Sequence, residues 1–534
     1  MNNNHERNEK IMAHKFVCST TAPIVDTKAG KLRGFLLDNT YTFYGIKYAD
    51  AARFQMPHDV APWEGVKDAL GYGYVCPMLS QDKPGSGELK VPHRYWPMDE
   101  NCQYLNVWTQ SIDKDAKKPV MVWLHGGGFS AGSSIEQVAY DGKNMSQYGD
   151  VVVVTINHRL NILGYLDLSP FGEKYKNSCN AGNADMVAAL KWVHENIASF
   201  GGDPENVTIF GQSGGGMKVW TLMQTPEADG LFHKGIIQSG LLDGLGLGAD
   251  AFGKKADGTE IVKALMKELG FDKVEQLETV PYDDLAEAYN KVAPVLAKEG
   301  KYIGGSGPLS NEFYDGDPRD VGFNAHARTI PVMIGTVLDE FMGFGPGNPN
   351  RNTMTAEEAR AMIAGVYGEE NADEMIALFE KAYPGKNLCD LVTLDSAFRA
   401  PTKDFIAKKS ECPEAPTYSY MFAYEFPVDE GAGPWHCSEI PFVFHNTELV
   451  PVCNKPGVSD ELEHRMFAAW TNFAKYGDPN DVSLPEWPAC KPGDEACMIF
   501  DETCEVRHNH DNELIKKHLT CAPRFGMGHV EIQH

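Results

Sequence analysis

The sequence predicts an α/β fold in which a large, mostly parallel central sheet is flanked by helices, with further helices inserted as a cap. Short apolar runs such as "VMVW" at 120–123 show no regular alternation of polar and apolar residues. Such runs are typical of strands buried on both faces of a parallel sheet. Helix-length segments, for example 184–200, separate the runs. Strand, helix and strand in succession predict a layered architecture with right-handed crossovers.

Six core strands are predicted along the chain. In chain order they lie in "KPVMVWLHGG" (118–127), "DVVVVTINHR" (150–159), "NVTIF" (206–210), "KGIIQSG" (234–240), "IPVMIGTVLDE" (330–340) and "TYSYMFAYEF" (417–426). From about 245 to 330, and again from about 352 to 415, the pattern is helical and charged, which predicts two helical insertions over the sheet. Because core strands recur on both sides of the insertions, we expect a single domain over 21–534, preceded by a flexible tail at 1–20.

The composition indicates a globular protein and argues against several classes of partner. Hydrophobic residues make up 43% of the 534 residues and charged residues 23%, which is ordinary for a globular chain. The formal net charge is −26, so we expect no nucleic-acid partner, which would need a basic face. The first residues contain no apolar signal-peptide core, and no later segment has about 18 uncharged apolar residues. We therefore expect no membrane contact and a cytoplasmic location.

The twelve cysteines are expected to be mostly thiols, because they are too sparse for a disulfide scaffold and no signal peptide is recognised. Cys490, Cys497 and Cys504 recur every seven residues near Cys521, but this is not a zinc-binding spacing. No metal and no cofactor are therefore predicted.

The stretch "TIFGQSGGGM" (208–217) places one serine between glycines, directly after a predicted strand. Gly211, Ser213 and Gly215 give the G-x-S-x-G spacing, in which a serine lies on a tight strand-to-helix turn with its hydroxyl exposed. A glycine-rich turn with a helix-capping serine would give the same five residues, so this motif alone leaves both interpretations open.

A second glycine cluster, "LHGGGFSAG" (124–132), follows the strand at 118–124. Three successive glycines allow backbone N–H groups to approach a ligand, and such loops donate to the oxyanion in serine hydrolases. A phosphate-binding loop is the rival interpretation, but the G-x-x-x-x-G-K-[ST] pattern is absent. We therefore predict that Gly127 and Gly128, together with Gly214 after the serine, donate to an oxyanion.

With these two loops, the chain resembles the type-B carboxylesterases, which include carboxylesterases, cholinesterases and para-nitrobenzyl esterases of the α/β-hydrolase fold, and it is most similar to their bacterial, cytosolic members. The further matching stretches, in the order of the family, are "FYGIKYAD", "WEGVKDA", "DENCQYLNVW", "NHRLNILGYL", "WVHENIASFGGDPENVTIFGQSGGG", "LFHKGIIQSG", "HCSEIPFVF" and "NFAKYGDPN". They cover the chain from about residue 30 to 480.

The resemblance implies the two partners of the serine. The family's acid lies in G-x-x-x-D-E-G, matched by "GTVLDEF" (335–341), which implies Glu340 as the acid with Asp339 as the alternative. Phe341 departs from the family's glycine. The family's base lies just before E-[IL]-P-[FY]-V-F, which implies His436. The order Ser213, Glu340, His436 fits the order of nucleophile, acid and histidine in this fold.

Further positions follow from the resemblance. Gln212 stands where the family often has glutamate, and Ser239 matches a serine that hydrogen-bonds to the acid. Pro92 takes the place of the aromatic residue that holds quaternary ammonium groups in cholinesterases. Trp96 is four positions away, and we interpret it as a structural aromatic. Cholinesterase activity is therefore not expected.

Three cysteines near the predicted site also have a family context. Cys76 and Cys102 match the first disulfide of secreted members, whereas a cytosolic setting would leave them reduced. Cys437 follows the predicted base, but it has neither an elbow nor a glycine loop around it, so we interpret it as a bystander thiol.

The resemblance implies a serine carboxylesterase that hydrolyses neutral, small-molecule esters of short to medium acyl length through an acyl-serine. One alternative is another acyl transfer on the same triad, such as lactone, thioester or amide hydrolysis. The other is the family's non-catalytic binding branch, which has lost members of the triad. Because Ser213, Glu340 and His436 are all present, catalysis is the prediction.

Overall fold

The computed structural model describes residues 14–80, 90–242, 257–343, 351–428 and 431–522. Its strands are β1 Phe16–Val17, β2 Ile24–Asp26, β3 Lys31–Arg33, β4 Phe35–Leu37, β5 Thr40–Lys47, β6 Ala49–Asp50, β7 His58–Asp59, β8 Val66–Asp68, β9 Tyr104–Thr109, β10 Lys118–Leu124, β11 Val152–Ile156, β12 Gly202–Gln212, β13 Lys234–Gln238, β14 Val332–Val337, β15 Thr417–Phe422, β16 Ala496–Phe500 and β17 Glu505–His508.

The α-helices are α1 Gly142–Gly149, α2 Asn161–Tyr165, α3 Ala181–Asn196, α4 Gly214–Met223, α5 Thr259–Leu269, α6 Tyr282–Lys298, α7 Pro318–Val321, α8 Ala325–Thr329, α9 Ala356–Tyr367, α10 Glu369–Ala382, α11 Arg399–Ser410, α12 Ile440–Phe444, α13 Ser459–Tyr476 and α14 Asn512–Cys521. None of the helices in the described ranges is both long and apolar enough to cross a bilayer.

Twelve strands form one large sheet in the order β1-β4-β5-β9-β11-β10-β12-β13-β14-β15-β16-β17. The seven strands from β11 to β16 are parallel, and antiparallel strands extend the sheet at both edges. In the middle, Val122 of β10 pairs with Val154 of β11 and with Ile209 of β12. Every residue of β11, β14 and β15 is buried, because helices cover both faces of the sheet. The predicted α/β architecture is confirmed.

Two groups of helices lie between the late strands of the sheet. The helices α5 to α8 separate β13 from β14, and α9 to α11 separate β14 from β15. Each group has an apolar cluster of its own, one around Leu265 and Leu285 and the other around Ile363 and Phe379. These helices occupy the regions in which the sequence predicts insertions, although 245–256 lies outside the described residues.

The amino end differs from the expected tail at 1–20. Residues 1–13 lie outside the described residues, but Phe16 pairs with Leu37, so that β1 is an edge strand of the large sheet. The Nδ1 atom of His14 lies 3.1 Å from the carboxylate of Asp38 and fixes the same segment.

The parallel strands bring distant parts of the chain to one edge of the sheet. The glycine loop at 126–128 follows β10, Ser213 follows β12, and Glu340 follows β14. Because the strands are parallel, their carboxyl ends all lie on the same side of the sheet, and open α/β sheets bind their ligands just outside these ends.

Candidate active site

Ser213 lies on the sharp turn between β12 and α4. Its backbone has φ 56° and ψ −125°, which is a rare conformation for a residue with a side chain. The Ser213 N–H donates to the Gln238 carbonyl at 2.8 Å, which ties the turn to β13. The hydroxyl makes no capping hydrogen bond to α4, and the residue is partly exposed. The strained turn therefore favours an exposed nucleophile over a capping serine.

The glycines around Ser213 are required by close backbone approaches. A Cβ at Gly215 would lie 1.9 Å from the Leu124 carbonyl oxygen, and one at Gly211 would lie 2.5 Å from the Gly215 carbonyl carbon. Real Cβ atoms do not approach other atoms this closely, so only glycine fits where α4 crosses the end of β10.

The predicted oxyanion loop packs against the start of α4. Gly127 and Gly128 have φ of +81° and +61°, and a Cβ at Gly214 would lie 2.3 Å from the Gly128 nitrogen. A Cβ at Gly126 would lie 3.6 Å from the Ser213 Cβ. The structure thus brings the three predicted donor residues together beside the serine.

Glu340 and His436 form a buried pair. The Glu340 Oε2 lies 2.5 Å from the His436 Nδ1. The backbone N–H of His436 also donates to the backbone carbonyl of Glu340 at 3.0 Å. The Glu340 Oε1 accepts hydrogen bonds from the Ser239 hydroxyl at 2.6 Å and from the Val337 N–H at 3.0 Å. Both carboxylate oxygens are therefore held, and the imidazole is fixed on one of them.

Asp339, the alternative acid, has different partners. Its Oδ1 accepts a hydrogen bond from the Thr393 hydroxyl at 3.1 Å. Burial raises the pKa of the Asp339 carboxyl well above its usual range, and the nearby charge of Asp390 adds to this. The geometry therefore favours Glu340 as the partner of His436.

Gln212 links the serine turn to the imidazole. Its Nε2 lies 3.3 Å from the His436 Nδ1 and 3.4 Å from the Nε2, and its Oε1 accepts a hydrogen bond from the Cys437 thiol at 3.0 Å. Since Gln212 directly precedes Ser213, these contacts place the imidazole beside the turn that bears the serine. The glutamine adds no charge here.

The environment of His436 favours its protonated form. Burial lowers the pKa of the imidazole, but the charge and the hydrogen bond of Glu340 raise it more, so the net shift is upward. Glu439 and Asp395 also act on it through space. Burial and the charge of Glu340 raise the pKa of each of these two carboxyls to about 7.

The sequence analysis missed the contacts that Phe398, Asp395 and Lys218 make in the site. The ring of Phe398 is stacked on the imidazole of His436 at a centroid distance of 4.9 Å and an angle of 29°. The Asp395 carboxylate accepts hydrogen bonds from the N–H groups of Phe398 and Arg399 and so fixes this corner. Lys218 in α4 donates to the His125 carbonyl at 2.8 Å. No local motif marks these residues, because their contacts form only in the folded chain.

The cysteines of the site region are thiols. Cys76 and Cys102 are free and buried, and they pack together with Leu160. The disulfide of secreted members is therefore not formed in this structure. Burial raises the pKa of the Cys437 thiol well above its usual range, which fits a bystander and not a nucleophile. Within the described residues, no group of three or more metal-binding side chains is found.

Pro92 and Trp96 lie on the segment between β8 and β9. The Pro92 carbonyl accepts a hydrogen bond from the Val138 N–H at 3.1 Å. Trp96 is partly exposed and contacts the ring of Tyr72 at 5.4 Å.

Comparison with known proteins shows the family of this chain. The sequence model of the carboxylesterase family matches residues 21–517. The chain belongs to the carboxylesterase family. It is a carboxylic ester hydrolase of the serine type with an α/β-hydrolase fold, as the resemblance in its motifs implied.

Relatives of this carboxylesterase are named as esterases or hydrolases. The para-nitrobenzyl esterase of Bacillus subtilis is 32% identical over 508 residues, which are 93% of this chain and 98% of that protein. The phenmedipham hydrolase of Pseudarthrobacter oxydans is 31% identical and covers 91% of this chain and 97% of its own length. A solved esterase from Clostridium hathewayi, described as able to hydrolyse aliphatic aromatic polyesters, is 54% identical with a TM-score of 0.91 and covers 95% of this chain and 100% of its own.

Proposed function

We propose that Ser213, His436 and Glu340 are the nucleophile, base and acid of this carboxylesterase. The observation that carries the proposal is the buried 2.5 Å contact between Glu340 Oε2 and His436 Nδ1, next to the strained turn of Ser213. When Nδ1 holds its proton toward Glu340, the Nε2 atom is the basic nitrogen.

The proposed reaction has two halves. In the first, His436 Nε2 accepts the proton of the Ser213 hydroxyl while the Ser213 Oγ attacks the ester carbonyl. The N–H groups of Gly127, Gly128 and Gly214 donate to the oxyanion, and the imidazolium then protonates the leaving alcohol. In the second half, water attacks the acyl-serine through the same base and releases the acid.

Two side chains support the triad in this proposal. Ser239 orients Glu340 by its 2.6 Å hydrogen bond, so that the other carboxylate oxygen stays on the imidazole. Gln212 holds the position of the ring without adding a charge. Both would act by positioning and not by proton transfer.

We propose that the substrates are neutral esters with short to medium acyl chains. The uncharged Gln212 and the buried carboxyls around His436 offer no cation to bind an anionic substrate. Lactone, thioester or amide hydrolysis would use the same residues and is the alternative.

The twelve free thiols support a reducing, cytoplasmic location.

Hydrolysis of p-nitrophenyl esters from acetate to long acyl chains tests the triad, with Ser213→Ala as the decisive variant. We expect a pre-steady-state burst in the unmodified protein and a loss of kcat by roughly 10⁴–10⁶-fold in the variant. Equal rates in two folded proteins would contradict the assignment and favour a binding role. The chain-length profile reports the acyl preference.

A second candidate substrate is an aliphatic aromatic polyester, as described for the 54% identical Clostridium hathewayi protein. Exposed rings support this candidate, since Tyr95 is 55% and Trp96 38% exposed, and Trp96 contacts Tyr72. The segment that bears these rings begins beside the site, where the Lys90 Nζ lies 4.7 Å from the ring of Trp435. The exposed rings of this segment can stack on the aromatic units of a polymer chain.

Release of soluble acids from a polyester film tests this candidate with the double variant Tyr95→Ala, Trp96→Ala. We expect release to fall several-fold while turnover of p-nitrophenyl butyrate is unchanged. Tyr148→Ala is the matched control, because that ring is 59% exposed on α1. If the film is not hydrolysed, or the double variant equals the control, the polymer is not a substrate of this surface.

A further inference from the structure

Lys218 is a buried lysine in the helix that begins at the nucleophile. Its side chain is fully buried, and its Nζ donates to the His125 carbonyl at 2.8 Å. Lysine is almost never fully buried unless it is paired. Among the described residues no carboxylate forms an ion pair with it, and Glu136 acts on its charge only through space.

The acceptor of this hydrogen bond directly precedes the oxyanion loop. His125 joins β10 to the three glycines that start at Gly126. Lys218 lies four residues after Gly214, about one turn further along α4. From there its side chain reaches His125, directly before the loop that holds Gly127 and Gly128. One hydrogen bond therefore joins the two halves of the predicted oxyanion site.

The groups around the Lys218 ammonium leave its charge uncompensated at short range. The rings of His125 and His158 are stacked at 5.1 Å, and the pKa of each is well below its usual range because of burial and, next, the charge of Lys218. The ring of Phe129 lies 6.0 Å from the Nζ. Burial lowers the pKa of Lys218 to about 7.

Burial of such an amine is costly for folding, because its desolvation is not repaid by an ion pair here. An apolar side chain of the same length would fill the space without that cost. The position of Lys218 between the two donor segments, and not its burial alone, therefore points to a role in the site.

Resting on the proposed function, we propose that Lys218 is a positioning residue for the oxyanion donors. Its amino group, which can donate in either protonation state, holds the His125 carbonyl and so keeps the N–H groups of Gly127 and Gly128 aligned with that of Gly214. The effect is expected in the transition state, where the oxyanion forms, and not in substrate binding.

The test compares Lys218→Met with Lys409→Met on p-nitrophenyl butyrate. Lys409 is the matched control, because it is also fully buried, donates to a backbone carbonyl, that of Arg328, at 3.2 Å, and lies 5.8 Å from an aromatic ring, that of Phe323. For Lys218→Met we expect kcat to fall by roughly 10–100-fold with KM within about twofold, somewhat less than for loss of an oxyanion donor. Lys409→Met should keep both constants.

A trifluoromethyl ketone inhibitor supplies a readout that a purely structural role would not move. It forms an oxyanion on the serine, so its Ki should rise by the same factor as kcat falls in Lys218→Met. A folded Lys218→Met with unchanged kcat, or with a lowered kcat and an unchanged Ki, overturns the proposal. If Lys218→Met does not fold, Lys218→Gln is assayed in the same way and an unchanged Ki is again decisive. Failure of the triad itself is distinct, because it appears as turnover by Ser213→Ala.

Discussion

At the residue scale, the short hydrogen bond between Glu340 and His436 would have two functions in the proposed triad. It would orient the ring and stabilise the positive charge that forms when the ring accepts a proton. Because a base must be neutral to act, the raised pKa of His436 leads us to expect that activity is lost on the acid side above the usual histidine value. Gln212 and Phe398 hold the ring from other directions.

Glu340→Gln should therefore move that acid limb. Without the Glu340 carboxylate, burial outweighs the smaller effects of Glu439 and Asp395, so the pKa of His436 falls and the ring stays neutral to lower pH. We expect the acid midpoint of kcat/KM to shift downward and kcat to fall by roughly 10²–10⁴-fold. The pH profile of p-nitrophenyl butyrate hydrolysis measures both.

Asp339→Asn is the control for that prediction. Asp339 is equally buried, but it contacts Thr393 and its raised pKa favours a neutral carboxyl, which asparagine resembles in shape and charge. The profile of this variant should match the unmodified protein. A downward shift in Asp339→Asn, with none in Glu340→Gln, would exchange the two assignments.

At the scale of elements, the junction of β12 and α4 could be predicted from the sequence, whereas the side chains that contact it from distant segments were harder to predict. The glycines at 211 and 215 mark a close crossing that the sequence pattern indicates, and the structure shows which backbone atoms approach there. The glycine loop after β10 was found in the same way, because both signals are local. The strands of the sheet were predictable for a similar reason, since continuous apolar runs record burial on both faces.

Other parts of the site depend on contacts between distant segments. Glu340 and His436 are separated by 96 positions and were identified only by resemblance, because a single carboxylate or histidine has no signal of its own. Phe398 and Lys218 have no motif, and their roles depend on what the folded chain places next to them. The edge strand β1 was missed because two paired residues are too few to give a periodic pattern.

At the scale of the whole molecule, a buried charge network extends from Arg399, which follows Phe398 in the chain, away from the site. The Arg399 guanidinium pairs with Glu495 and with Asp511, and the Lys403 ammonium contacts both acids. Burial opposes the charge of Asp511, but Arg399 holds its pKa well below its usual range. The network joins α11 to the segments next to β16 and β17, the last two strands of the sheet.

Two buried histidines should contribute less to the stability of the protein as the pH falls into the mildly acidic range. Burial lowers the pKa of His510 and of His518 to about 4 each. Between about pH 6.5 and pH 4 these two histidines bind protons in the unfolded chain but not in the folded chain, so their contribution to the free energy of unfolding falls as pH falls. The raised pKa values of Asp339, Asp395 and Glu439 act in the opposite direction, so the contribution of one histidine is obtained by comparison with a variant. Each histidine contributes a slope of about 1.4 kcal/mol per pH unit in this window. Urea unfolding at several pH values measures it.

His510→Phe isolates one of these contributions. The phenyl ring retains the contact with Tyr383, whose ring lies at 5.2 Å, and it cannot bind a proton. The slope between pH 6.5 and 4 should decrease by about the contribution of one histidine. An unchanged slope in the variant would mean that His510 is protonated in the folded state.

The arrangement of the triad along the parallel sheet has a consequence for the order in which the enzyme is made. Synthesis proceeds from the amino end, so the glycine loop and Ser213 leave the ribosome long before His436. With the proposed triad, a nascent chain that has folded β10 to β13 would hold the nucleophile without its base and would be inactive. Esterase activity would begin only when β14 and β15 have joined the sheet and have brought Glu340 and His436 next to Ser213. The proposed triad would thereby delay hydrolysis until most of the protein has been translated.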